Sequence, residues 1–89
     1  MKIVRRLKVK NDLGLHIRPA ATIVKILQSY KSSVTFTYND ETINARSIMS
    51  ILTLVAKKNA KITITIEGED AKETMKNLID AFKICFGEK

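Results

Sequence analysis

Residues 61–67 read Lys-Ile-Thr-Ile-Thr-Ile-Glu, with Ile62, Ile64 and Ile66 alternating with Thr63, Thr65 and Glu67. Successive side chains of a strand point to opposite faces, so a strict two-residue period is the signature of a strand with one apolar and one polar face. A strand of that kind belongs to a sheet packed on one side and wet on the other. As the cleanest such run in the chain, it is expected at the centre of the sheet. Three weaker runs repeat the pattern. Ile3, Leu7 and Val9 alternate with Val4, Arg6, Lys8 and Lys10, with Arg5 interrupting the apolar row, which gives a strand from about Lys2 to Val9. Val34, Phe36 and Tyr38 alternate with Thr35 and Thr37. Asn39-Asp40 then forms a turn pair, and Glu41 to Ala45 returns as the other arm of a hairpin.

Helical spacing fills the intervals. Ala20, Ile23, Val24 and Leu27 recur at i, i+3, i+4 and i+7, which makes Pro19 to about Leu27 an amphipathic helix with one face on a core. Its β-branched residues lower its intrinsic propensity, so it depends on packing. A second helix opens at Ser47, a natural N-cap. Leu52 and Val55 are expected inward, with Ile48 or Ile51, and Lys57-Lys58-Asn59 closes it. Asn59 tolerates a left-handed conformation better than most residues. Gly68-Glu69-Asp70 turns and caps a last helix from about Ala71 to Cys85, with Ala71, Met75, Leu78, Phe82 and Cys85 at helical spacing. Cys85 and the methionines read as core packing. The order β-α-β-β-α-β-α predicts an α+β domain: an open-faced sandwich with a four-stranded antiparallel sheet and three helices on one face.

Residues 1–89 form one domain, with an expected radius of gyration of roughly 12 Å. The chain carries 16 Lys and Arg against 9 Asp and Glu, a net charge of +7. That balance attracts anionic partners: acidic protein surfaces, phosphates or nucleic acid. A single cysteine precludes an internal disulfide framework and suits a reducing cytoplasm. No apolar run approaches membrane-spanning length, and none follows the charged N-terminal residues as a signal region would.

The chemistry concentrates in Gly14-Leu15-His16-Ile17-Arg18-Pro19-Ala20, which holds the only histidine and the only proline. Proline fixes φ and lacks an N–H, so it fits the first turn of a helix. A helix therefore starts between His16 and Pro19. Its first amides have no partner within the helix and carry the positive end of its dipole. Gly14 permits a turn that a side chain would obstruct. An imidazole beside an anion site, with Arg18 two residues on, is what a phosphorylatable histidine needs: a neutral nucleophile, with the Ile17 amide and the guanidinium ready for the added charge. From these residues alone, an exposed histidine without a role is an equal reading. No metal site is expected from one histidine and one distant cysteine, and no cofactor is implied.

Gly14 to Ala21 resembles the active-site segment of the histidine phosphocarrier (HPr) family of the bacterial phosphotransferase system. Asn44 to Leu54, reading NARSIMSILTL, resembles that family's regulatory-serine segment, and His16 and Ser47 keep the family's separation of 31 positions. The resemblance covers essentially the whole chain and implies the same open-faced sandwich. It implies a carrier rather than an enzyme: His16 accepts a phosphoryl group on Nδ1 from phospho-enzyme I and passes it to sugar-specific IIA domains. It also implies that Ser47 is phosphorylated by an HPr kinase/phosphorylase. Arg46 would pair with that phosphate, and the new charge would repel an acidic docking surface. Ile17, Ala21, Val24, Ile48, Met49 and Leu52 are the implied docking residues, with Lys25, Arg46 and Lys57 as steering charges. Ser50 and Asn59 stand where many members carry glycine, and the net charge is high for the family.

Two other readings stand beside this one. The first is a small basic nucleic-acid-binding module, favoured by the charge but without a GxxG clamp or an aromatic-rich strand for base stacking. The second is a relative whose role is mainly regulatory through Ser47. Nothing in the sequence requires more than a monomer, and neither nucleic-acid binding nor membrane insertion is expected of the phosphocarrier.

Overall fold

In a computed structural model, which describes residues 1–88, the elements follow the expected order: β1 (Lys2–Lys8), α1 (Ile17–Leu27), β2 (Ser33–Tyr38), β3 (Glu41–Asn44), α2 (Ile48–Thr53), β4 (Lys61–Glu67) and α3 (Ala71–Lys83). A short 3₁₀ turn, Cys85–Gly87, follows α3. The four strands make one antiparallel sheet in the order β1-β4-β2-β3. The isoleucine-threonine strand is therefore central, as its pattern predicts. The Cα radius of gyration is 11.5 Å.

Register places apolar partners in rows. Ile66 lies opposite Ile3 on one side and Val34 on the other, and Ile64 lies between Arg5 and Phe36. Ile62, Ile64, Ile66 and Phe36 are fully buried beneath the helices, which contribute Ala20, Ile23, Leu27, Ile51, Leu78 and Phe82 to the same core. Removing a side chain of the Ile23 or Leu27 class from water contributes roughly 1.5–3 kcal/mol each. Packing of that size compensates for the modest propensity of α1. The opposite sheet face stays polar. Arg6, Thr63, Thr37 and Thr42 form one cross-strand row, and the Thr37 and Thr42 hydroxyls are 2.8 Å apart.

Three expectations need correction. Helix α2 ends at Thr53 rather than running to Lys57. Val55 has φ +49 and is exposed, and Leu52 is only partly buried, so Ile51 and Leu54 supply the inward face. The chain leaves the helix because residues 56–60 must run beside the end of β1. The Leu15 amide donates to Ala56 O at 2.8 Å, the Val9 amide to Ala60 O at 2.8 Å and the Asn59 amide to Val9 O at 2.7 Å. Asn59 does take the left-handed conformation, with φ +75. Helix α3 stops at Lys83, which leaves Cys85 half-buried in the following turn; of the methionines, Met75 is core and Met49 is exposed.

Asp70 opens α3, but its carboxylate does not cap that helix. It accepts from the hydroxyl of Ser32, from the Ser32 amide at 3.0 Å and from the Lys31 amide at 2.7 Å. The Ser32 hydroxyl, then the Lys31 amide, hold its pKa down to about 2.

Candidate functional site

The segment that carries His16 is tied down on both sides. Gly14 has φ +70, and a Cβ there would lie 2.3 Å from Ala56 O and 2.8 Å from the Lys57 Cα. Backbone passes so close that only glycine fits. Leu15 is buried in the core directly after it. Buried Asn11 donates from Nδ2 to Gly14 O at 2.6 Å, and Lys58 Nζ reaches Asp12 Oδ1 at 2.8 Å. His16 thus leaves a fixed turn.

His16 is the N-cap residue of α1, in extended conformation, and its side chain makes no capping bond. The first helical hydrogen bond runs from the Ala20 amide to His16 O at 3.1 Å. Pro19 has no N–H. The amides of Ile17 and Arg18 therefore remain without a protein acceptor among the described residues. Two unpaired amides at the positive end of an 11-residue helix form a place for an anion. The Arg18 side chain is exposed and makes no hydrogen bond or ion pair among the described residues, so its guanidinium is available to the same anion.

The imidazole is neither buried nor loose. Its side chain is 31% exposed, and Nε2 lies 2.9 Å from Glu88 Oε1. A carboxylate oxygen only accepts, so Nε2 is the ring nitrogen that carries hydrogen. Nδ1 has no partner among the described residues. Glu88 and Asn11 escape sequence reading. Glu88 lies 72 positions from His16, and Asn11 reads as an ordinary turn residue.

The apolar surroundings partly follow expectation. Ile17 and Met49 are exposed at 65% and 72%, and Ala21 is exposed on α1. Val24, Ile48 and Leu52 are half-buried and pack on the core, so only part of each is available to a partner. The sequence reading missed exposed Leu13 and Val55, which line a shallow hollow with His16, Leu52 and Lys57.

Ser47 is the N-cap of α2, and its Oγ accepts the Ser50 amide at 3.2 Å. The role expected of Arg46 is not borne out. Its guanidinium donates to the carbonyls of Leu27 at 2.8 Å, Tyr30 at 2.8 Å and Ser32 at 2.7 Å. It ties the end of α1 to the start of β2, so its side chain is held in place rather than free. Lys25 and Lys57 remain exposed.

A family model described as "PTS HPr component phosphorylation site" matches residues 3–83. The chain belongs to the HPr family, the phosphocarriers of the phosphotransferase system. It is 46% identical to the phosphocarrier protein HPr of Chlamydia muridarum over 80 residues, covering 90% of this chain and 77% of that one. It is 35% identical to the HPr of Xylella fastidiosa, over 92% of each. Among solved structures it superposes on HPr-C-His from Thermoanaerobacter tengcongensis with a TM-score of 0.93, at 32% identity and 98% coverage of both chains. An HPr dimer from the same organism matches at 0.77 and 34% identity, over 92% of this chain and 94% of that one. The open antiparallel sheet with its helices is the fold of these HPr structures. No helix of the described residues is long and apolar enough to cross a membrane.

Proposed function

We propose that this protein carries a phosphoryl group on His16, accepting it from phospho-enzyme I and passing it to sugar-specific IIA domains. The observation that carries this reading is a partly exposed imidazole, with Nε2 held by Glu88, at a helix end whose Ile17 and Arg18 amides lack acceptors among the described residues. Nδ1 is the attacking atom. The unpaired amides and the Arg18 guanidinium take up the charge of the transferred group. Because the ring is open to solvent, the group is held by its edge and remains reachable by the next acceptor. The protein turns over no substrate of its own. Ile17, Met49 and the neighbouring apolar surface of α1 and α2 form the docking face, with Lys25 and Lys57 drawing in acidic partners. We assign the protein to the cytoplasm, acting as a monomer of one domain.

Ser47 is the regulatory site of this reading and a substrate of an HPr kinase/phosphorylase. Its hydroxyl lies at a helix start, where a phosphate is locally tolerated. Arg46 is held by three carbonyls, and the new charge repels an acidic docking surface. Ser47→Asp is expected to weaken enzyme I binding about tenfold, the equivalent of one displaced charge contact; unchanged affinity in a titration removes the repulsion account.

The deciding experiment is incubation with enzyme I and phosphoenolpyruvate, followed by mapping of an acid-labile phosphate. Label on His16 supports the carrier. No label on His16, together with kinase-dependent label on Ser47, favours the mainly regulatory relative. Family membership leaves the nucleic-acid module without a supporting observation beyond net charge.

A further inference from the structure

Glu88 lies outside the stretch that the family model matches, residues 3–83, yet it makes the only side-chain hydrogen bond to His16 among the described residues. Its placement is built. Phe86 is buried against the Phe82 ring, with centroids 4.8 Å apart. The chain then turns sharply through three positive φ angles, +55 at Cys85, +55 at Phe86 and +83 at Gly87. The Gly87 amide donates to Ile84 O at 3.0 Å and the Glu88 amide to Cys85 O at 2.8 Å. Left-handed conformations at two non-glycine residues are unfavourable, and the buried phenyl group offsets them. This turn delivers the Glu88 side chain to the start of α1, where it is 15% exposed.

A second residue fixes the carboxylate from behind. Asn11, with no exposed surface, donates from Nδ2 to the same Glu88 Oε1 at 3.1 Å and to Gly14 O at 2.6 Å. Both neighbours are acceptors, so the amide group cannot be reversed without setting oxygen against oxygen. Asn11 Oδ1 has no partner among the described residues. The order of contacts is therefore Gly14 O, Asn11 Nδ2, Glu88 Oε1, His16 Nε2. The arrangement has the logic of a carboxylate that orients an imidazole for attack through its other nitrogen.

We propose that Glu88 is a positioning residue: its carboxylate holds His16 as the Nε2–H tautomer, keeping the Nδ1 lone pair free, and acts as counter-charge when Nδ1 is phosphorylated. The first half stands on geometry alone, and the second rests on the phosphocarrier reading. In the transfer step the Nδ1 lone pair forms the bond to phosphorus as the bond from phosphorus to the donor's leaving group breaks. No proton has to leave, because Nδ1 carries none. The ring becomes an N-phosphoryl imidazolium, its positive charge facing the carboxylate through Nε2–H. Delivery reverses each change. In the other tautomer, Nδ1 would have to lose a proton before it could attack.

The test reads the tautomer and the reactivity separately, on the full chain. Ring ¹⁵N shifts at alkaline pH are expected to mark Nε2 as protonated and Nδ1 as bare in the unmodified protein. Glu88→Ala should bring both nitrogens to averaged values. Glu88→Gln, whose amide oxygen still accepts, should keep the tautomer while losing the charge. Phosphorylation by phosphoramidate, a small donor that needs no docking surface, should slow about three- to tenfold in Glu88→Ala and by less in Glu88→Gln. That loss is far below the one at a fully buried orienting carboxylate, because solvent competes here. Averaged shifts in the unmodified protein, or shifts unchanged in Glu88→Ala, overturn the positioning role. A held tautomer with an unaltered phosphorylation rate in Glu88→Ala overturns the counter-charge. A held tautomer in a protein that takes no phosphate on His16 refutes the phosphocarrier reading and leaves the tautomer assignment standing.

Discussion

The starts of α1 and α2 are built from the same backbone and differ at the capping residue and the third helical position. At α1 the residue in the capping position, His16, turns its side chain to Glu88, Pro19 has no N–H, and the Ile17 and Arg18 amides go without acceptors among the described residues. At α2 the Ser47 oxygen takes the Ser50 amide, and the arginine beside it is spent on three carbonyls. One helix start is unfilled and can receive a ligand. The other has its third amide taken by the Ser47 hydroxyl and contributes to holding the fold. The difference teaches that a helix N-terminus becomes a site through what is withheld from it: a capping side chain, and one amide replaced by proline.

Substitutions can break or sharpen that contrast. The largest effect is expected from His16→Ala, which should abolish labelling from phosphoenzyme I while leaving thermal unfolding nearly unchanged; retained label would place the reactive group elsewhere. Arg46→Ala comes next. It removes hydrogen bonds to three carbonyl groups, of which only Leu27 O keeps a backbone donor among the described residues, the Tyr30 amide, and should cost about 2–3 kcal/mol in denaturant unfolding, with phosphoryl acceptance on His16 little altered. A free, steering Arg46 would give the reverse pattern, slower association and normal stability. Arg18→Ala should slow phosphoryl acceptance about tenfold, the equivalent of roughly 1.4 kcal/mol, because it removes one arm of the anion site; unchanged kinetics would assign the site to the amides alone. Ser47→Ala should destabilise by about 1 kcal/mol, the ordinary value of a lost N-cap, without touching transfer. A fall in stability well under that would mean the α2 end is held by its neighbours instead.

A third helix start serves as control. The Asp70 pKa is lowered from 3.8 to about 2, first by the Ser32 hydroxyl and then by the Lys31 amide. A carboxylate with a depressed folded-state pKa lends stability that is complete above its unfolded value. That contribution fades as the pH falls from near 3.8 through about 2. Acid titration of unfolding should therefore show a component in that window that Asp70→Asn removes, with the helix starts of α1 and α2 unaffected.

Much of this was legible in the sequence, because it is written in local patterns. Alternation at Ile62, Ile64 and Ile66 announces a central strand, and Pro19 after His16 announces an open helix start. The reading went astray at Val55. There i, i+3 spacing from Leu52 mimics one more helical turn, while the pairing of Ala56 with Leu15 and of Asn59 with Val9 pulls the chain away. Arg46 was misread for the same reason: it lies next to Ser47 in the chain, but its acceptors belong to the end of α1 and the loop after it. Glu88 could not be seen at all, since only the folded tail carries it back to His16. Local period fixes elements. Long-range hydrogen bonds decide where those elements stop and what a polar side chain is for.

Strand β1 forms one free margin of the sheet and carries Lys2, Arg5, Arg6 and Lys8. An uncovered margin is a template on which a second chain can add its own strand. Four cations along it make two such margins repel each other, and concentrated salt weakens that repulsion. Part of the net positive charge thereby acts as a guard against fibrous self-assembly, so loss of solubility in strong salt should begin along this border.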